Sequence, residues 1–195
     1  WGPTVANRVP VHASGPYQVA NYLAKSRAVH TNNVPAGAFR GFGVPQTAIA
    51  LETSLSELAQ KAGVDELKFR MINALRNGTP TVTGQIFNSG VGIIKCLEAV
   101  RPAWERAKKY SSQYNNALDK SIHKKGVGIA TCWYGCGNTS IATPSTSKIG
   151  IRQNGQIILH QGATDIGQGS NTVIAQIVAD AIQTDINSIE LIGPD

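Results

Sequence analysis

Between residues 37 and 43 the chain reads Gly-Ala-Phe-Arg-Gly-Phe-Gly. Neither a helix nor a strand suits that composition, because glycine weakens both. It suits a backbone that approaches another group closely, with the rings of Phe39 and Phe42 and the fixed charge of Arg40 beside it. Burial of the rings for area alone, and a surface ion pair for Arg40, are the plainer alternatives. The clustering of all three among Gly37, Gly41 and Gly43 sets the stretch apart from them.

A helix is expected over residues 46–62. Ala48, Leu51, Leu55, Leu58 and Ala62 recur at three- and four-residue steps, which makes one apolar stripe, and Gly63 closes it. A second helix is expected over 65–75, with Leu67, Met71, Ile72 and Leu75 inward, ended by Asn77-Gly78-Thr79-Pro80. A third carries Ile93, Ile94, Leu97 and Val100 after a cap at Asn88 or Ser89. Pro102 is expected to kink or restart it. Upstream, residues 1–36 show Pro and Gly punctuation between short β-like runs at 17–23 and 27–31.

Residues 111–124 are polar, which places a linker at 116–125 between a first subdomain, 1–115, and the start of a second, 126–195. Beyond it the texture changes. Residues 126–133 read as a strand. Residues 147–152 and 156–160 read as two strands joined at Asn154-Gly155, a strong hairpin signal. Val173, Ile174, Ile177, Val178, Ala181 and Ile182 mark another helix, and 188–192 a closing strand. The fold class is α+β, sheet-and-helix layers in two subdomains.

The chain's 195 residues suffice for one domain or two small ones, and 42% hydrophobic content supports a core. No apolar run reaches the roughly 18 residues a membrane span needs. The chain opens on Trp1 and closes on Gly193-Pro194-Asp195, and both ends read as cut from something longer. Cys96, Cys132 and Cys136, without a secretion signal, argue against a disulfide framework. Cys132 and Cys136 have roughly metal-like spacing, but no second Cys or His pair completes a zinc site. The net charge of +6 is partly concentrated in 101–125, at Arg106, Lys108, Lys109, Lys120, Lys124 and Lys125. A nucleic-acid patch is one reading of it. A solvated helix, or a face docking an acidic neighbour, is the plainer one.

The loop Gln161-Gly162-Ala163-Thr164-Asp165-Ile166-Gly167-Gln168-Gly169 directly precedes a helix, whose first N–H groups attract anions. Its glycines permit close approach, and Gln168 carries both a donor and an acceptor. Other templates fail: there is no P-loop, no dinucleotide fingerprint and no nucleophile elbow.

Ala38-Phe39-Arg40-Gly41-Phe42-Gly43, followed by Pro45-Gln46, resembles the signature of the molybdenum hydroxylases, the xanthine dehydrogenase and aldehyde oxidase family. So do Thr83-Gly84-Gln85 before Asn88-Ser89-Gly90 and the segment from Asp65 to Asn73. The loop at 162–169 is similar to that family's second pterin-contacting loop. The two main motifs stand in the family's order and span most of the chain.

The resemblance implies two subdomains of a molybdopterin-binding region, a molybdopterin cofactor, most readily the cytosine dinucleotide, and a molybdenum centre. It implies water-derived hydroxylation of an N-heterocycle of purine or nicotinate type, or of an aldehyde. It implies iron–sulfur and FAD groups on partner domains or subunits, the remaining part of the catalytic subunit as partner, a cytoplasmic location, no nucleic acid and no membrane span. By motif position, Ala38, Phe39, Arg40, Gly167, Gln168 and Gly169 are expected to touch the cofactor. The backbone of Arg40 is expected to lie near the metal. Phe42, Arg8 and Asn138 are expected to face the substrate, and the loop from Tyr134 to Thr139 to border it. No catalytic residue is expected here: the family's general-base glutamate lies C-terminal to these motifs, so the 195 residues alone are expected to be inactive. A non-catalytic binding or assembly module and a basic nucleic-acid-binding domain are the alternatives.

Overall fold

The computed structural model describes residues 2–34, 37–117, 122–135 and 144–193. Contacts divide the chain into two compact units, Trp1–Tyr134 and Gly135–Asp195.

In the first unit, α1 (Gly2–His12) was not legible in the sequence. Pro10 lacks the N–H that would bond the carbonyl of Ala6. The hydroxyl of Ser26 donates to that carbonyl instead, at 2.5 Å, and Tyr22 donates to the carbonyl of Pro10. Side chains from the following extended segment thus stand in for the missing helical bond. The β-like runs at 17–23 and 27–31 are not strands. Only Tyr17 forms a bridge, to Ala74, with Gln18 N–H bonded to Asn73 and Leu75 N–H to Pro16.

Helices α2 (Val44–Lys61) and α3 (Glu66–Asn73) fall where periodicity puts them. The Asp65 carboxylate caps α3 through Lys68 N–H. Their buried faces differ from expectation. On α2 the buried residues are Val44, Thr47, Glu52 and Ala59, while Leu58 is half exposed. On α3 Leu67 is buried and Ile72 is exposed. The reason is the Glu52–Arg70 pair, which takes the interior position between the two helices.

α4 (Ile93–Ala117) runs through Pro102 without ending, and absorbs residues 111–117 of the polar stretch. Its C-terminal side chains have work to do. Asn115 pairs with both the N–H and the carbonyl of Lys125, and Lys125 Nζ lies over the rings of Tyr110 and Tyr114 at 4.4 and 4.1 Å. This clamp starts residues 126–133 back along the helix. They are extended but form no strand, since no neighbouring segment pairs with them among the described residues. Val127 and Ile129 pack on the core of Leu67, Ala74, Leu97 and Trp104.

The second unit is a three-stranded sheet in the order β1 (Lys148–Ile151), β2 (Ile157–His160), β3 (Ile189–Ile192). β1 and β2 form the expected antiparallel hairpin, with Gly155 at φ 84°. β2 and β3 are parallel, so a crossover is required, and α5 (Ser170–Ala181) supplies it. Leu159, Ala175 and Val178 form the core.

Candidate functional site

Gly41, Phe42 and Gly43 have successive φ values of 96°, 51° and 90°. A Cβ on Gly41 would stand 2.6 Å from Pro45 Cγ, and one on Gly43 would stand 2.9 Å from Val5 Cγ1. Glycine is therefore needed at both positions. Phe42 occupies the same region without that freedom, at a cost of about 1–3 kcal/mol. Its N–H donates to Phe39 O at 2.7 Å and Val44 N–H to Gly41 O at 2.9 Å, which tie the turn to itself. Gly43 caps α2 with no side chain, and Pro45 has no N–H to offer. The N–H groups of Phe39, Gly41 and Gly43 have no acceptor among the described residues. The Phe39 ring is 85% exposed, and Arg40 is exposed beside it.

Arg8 and His12 lie one helical turn apart on α1, and Arg8 stands against the second ring of the turn. The Arg8 guanidinium lies 5.7 Å from the Phe42 ring centroid and 5.4 Å from that of Tyr134. His12 stacks on Tyr134 at 5.8 Å and meets Trp133 edge-on at 5.9 Å. His12 Nδ1 is 3.0 Å from the carbonyl of Arg8. A carbonyl only accepts, so Nδ1 carries the proton. Burial lowers the His12 pKa below its ordinary value; the bond to the Arg8 carbonyl opposes this, and the Arg8 charge reinforces it. A neutral imidazole therefore backs Tyr134, and the guanidinium is the fixed cation there. An aromatic-walled cation of this kind suits a flat ring on which negative charge develops.

The turn is held from behind. Glu52 Oε2 accepts from Arg70 Nε at 2.7 Å, while Oε1 accepts from Tyr17 Oη and Thr131 Oγ1, each at 2.7 Å. Arg70 also donates to the carbonyls of Glu66 and Glu52 and to Ser56 Oγ. Burial pushes the Tyr17 phenol well above its ordinary pKa, so it stays a donor. The network joins α2 to α3 and to the segment that delivers Tyr134.

In the second unit the loop before α5 satisfies itself. Asp165 accepts from the N–H groups of Gly167, Gly169 and Asn171, which lower its pKa. Gln168 Oε1 accepts from Ile166 N–H, and its Nε2 donates to Thr164 O and Ser170 Oγ. The amide of Gln168 thus shapes its own loop. The backbone N–H groups of Gln168 and Ser170 have no acceptor among the described residues. Gly167 and Gly169 have φ values of 95° and 81°.

Arg8 and Phe42 therefore stand together in the first unit, next to Ala38, Phe39 and Arg40. Gly167, Gln168 and Gly169 share one loop of the second. Asn138 lies outside the described residues, as do Cys136 and Lys120. Sequence reading gave His12 no role, because its partners Trp133 and Tyr134 lie more than a hundred residues away. Part of the basic stretch is engaged internally: Lys108 pairs with Asp65 at 2.6 Å, and Lys124 and Lys125 bind the end of α4, while Arg106 and Lys109 are exposed. Among the described residues no helix is long and apolar enough to cross a membrane.

Two family models, each described as a molybdopterin cofactor-binding domain, match residues 1–74 and 96–195. The large molybdopterin subunit of nicotinate dehydrogenase from Eubacterium barkeri is 43% identical over 101 residues, 52% of this chain and 24% of that protein. A putative xanthine dehydrogenase molybdenum-binding subunit of Escherichia coli is 31% identical over 180 residues, 91% of this chain and 23% of that protein. The crystal structure of aldehyde oxidoreductase from Desulfovibrio desulfuricans superposes with a TM-score of 0.81 at 27% identity, over 98% of this chain and 21% of that one. The chain thus spans about a quarter of the length of the curated relatives it matches. Two models in tandem, one of them spanning the C-terminal half, place the chain in the molybdenum hydroxylase family, as a member of its molybdopterin cofactor-binding domains.

Proposed function

We propose that the chain forms the pterin-binding and substrate-orienting part of a molybdenum-dependent hydroxylase acting on a flat N-heterocycle of purine or nicotinate type, with aldehydes as the second substrate class. The observation that carries this reading is the Arg8 guanidinium set between the rings of Phe42 and Tyr134, beside a turn with unpaired amides. The strong likeness to a nicotinate dehydrogenase subunit supports the heterocycle over the aldehyde.

Both loops suit an anionic pterin cofactor, each by itself. In the first unit Phe39, Gly41 and Gly43 offer N–H groups without acceptors, at a place where a Cβ on Gly41 or Gly43 would collide. In the second unit the backbone of Gln168 and Ser170 does the same at the head of α5. Ala38, Phe39 and Arg40 would hold the cofactor at one loop and Gly167, Gln168 and Gly169 at the other, with the backbone of Arg40 nearest the metal. When bound, molybdopterin supplies the metal centre for oxygen transfer and two-electron redox chemistry.

The chain's own residues do the rest. Phe42 stacks on a planar ring and excludes water from that face, while Tyr134 backs the Arg8 guanidinium. Arg8 stabilises negative charge that develops on a ring heteroatom. His12 Nδ1–H donates to the Arg8 carbonyl and so fixes the imidazole behind Tyr134. Asn138, outside the described residues, would contact the substrate by the family resemblance alone. The general base that activates water is supplied from outside this chain, and so are iron–sulfur and FAD groups. The cytosine dinucleotide form of the cofactor and a cytoplasmic location complete the proposal.

The test is a substrate screen of the parent enzyme against purines, nicotinate and aromatic aldehydes in isotope-labelled water. Hydroxylated heterocycle carrying the label is expected. Turnover of aldehydes alone would contradict the heterocycle reading.

A further inference from the structure

Residues 126–133 are extended with strand-like alternation but have no partner strand among the described residues. Their burial alternates: Val127, Ile129, Thr131 and Trp133 turn inward, while Gly128, Ala130 and Cys132 are exposed. No backbone N–H or carbonyl from Gly126 to Cys132 makes a hydrogen bond among the described residues. Backbone polar groups beside an apolar core seek partners, and an unpaired extended edge is a template for another strand. Beside this edge runs a groove of about 490 Å³, floored by one face of α4. That face presents Cys96, Val100, Ala103 and Ala107, an uncovered stripe of small apolar groups at four-, three- and four-residue steps. No charged residue lines the groove. The lengths agree. Six extended residues span about 20 Å, and the eleven-residue rise from Cys96 to Ala107 spans about 17 Å.

We infer that residues 126–132 receive an added β-strand, with apolar side chains at alternate positions, from a part of the same subunit outside these 195 residues. Main-chain bonds supply the pairing and the small stripe on α4 supplies the side-chain pockets, the usual division of labour in strand addition. A neutral groove does not suit a nucleic acid or an acidic ligand. The length of the curated relatives, of which this chain matches only 23–24%, supports a source within the same polypeptide. The inference requires only a longer parent subunit and does not depend on the cofactor.

The test uses the intact parent subunit. Amides of residues 127–131 are expected to exchange with deuterium roughly a hundredfold more slowly than in an unstructured peptide, or slower still. A benzophenone amino acid placed at the exposed position of Ala130 is expected to crosslink to a peptide of the same polypeptide outside this chain. Exchange at the unstructured rate overturns the inference. So does a crosslink that falls within these 195 residues, on a second copy or on a different subunit. Metal analysis of the same preparation tests the cofactor reading separately, so one can fail without the other.

Discussion

Arg70 has no exposed surface, and its Nε donates to Glu52 Oε2 at 2.7 Å. Every charge in this pair is met: the carboxylate by three donors, and the guanidinium by the carboxylate, two carbonyls and a hydroxyl. Removing one partner leaves the other buried and unpaired, which costs about 3–5 kcal/mol. Arg70→Ala and Glu52→Ala are each expected to lower the denaturation midpoint of the parent subunit sharply. The double variant Glu52→Ala with Arg70→Ala is expected to lose less than the two single losses combined. Additive losses would show that the pair does not act as a unit.

The turn at residues 39–43 gives a matched contrast among glycines. Gly41→Ala forces a Cβ to within 2.6 Å of Pro45 in a left-handed backbone, whereas a Cβ on Gly37 would meet nothing within 4 Å. Gly41→Ala is expected to destabilise by about 1–3 kcal/mol, with Gly37→Ala near neutral. Equal midpoints for the two in thermal melts would refute the strained-turn description.

Two acid limbs of stability are expected. Burial works to raise the Asp65 pKa, but hydrogen bonds from Lys108, Lys68 N–H and Trp104, with the Lys108 charge, lower it to about 2. Its contribution is complete above the ordinary carboxylate pKa and is lost as pH falls from there towards about 2. The His12 pKa is also lowered, so its contribution is complete above the ordinary imidazole value and declines as pH falls below it. Stability measured against pH should lose the lower limb in Asp65→Asn and the upper limb in His12→Phe. Persistence of both limbs in the variants would contradict these assignments.

Arg8→Gln removes the cation and leaves both rings in place. It is expected to reduce kcat/KM for acidic heterocycles by tenfold or more, about 1.4 kcal/mol of transition-state stabilisation, with molybdenum content unchanged. Phe42→Ala should weaken heterocycle turnover strongly, again without loss of metal. Loss of metal in either variant would show that the residue supports the fold and not the substrate.

Helices α2 and α3, the hairpin at Asn154-Gly155 and α5 were legible because their signals are local: apolar periodicity, a capping Asp65 and a turn dipeptide. α1 was hidden, because Pro3 and Pro10 read as punctuation, and the groups that compensate, Ser26 and Tyr22, arrive from another segment. The buried stripe of α2 was misread because Glu52 is interior only by virtue of Arg70. Residues 126–133 carry strand periodicity, yet a strand needs a partner that local sequence does not reveal. At the site, Phe42 was reachable through the family motif and Arg8 through its distance upstream of it along the chain, while His12 and Trp133 required the folded chain. Gln168 was legible as a loop residue, but its bonds to Thr164 and Ser170 were not.

The central claim is that the turn at residues 39–43 holds a pterin cofactor by its backbone. Molybdenum and pterin stoichiometry in the purified parent subunit tests it most directly. The native subunit and Gly37→Ala should carry both in full, and Gly43→Ala, whose Cβ would meet Val5 at 2.9 Å, should lose most of both while keeping its far-ultraviolet circular dichroism. Full retention of molybdenum and pterin in folded Gly43→Ala, or their absence from the native subunit, would contradict it.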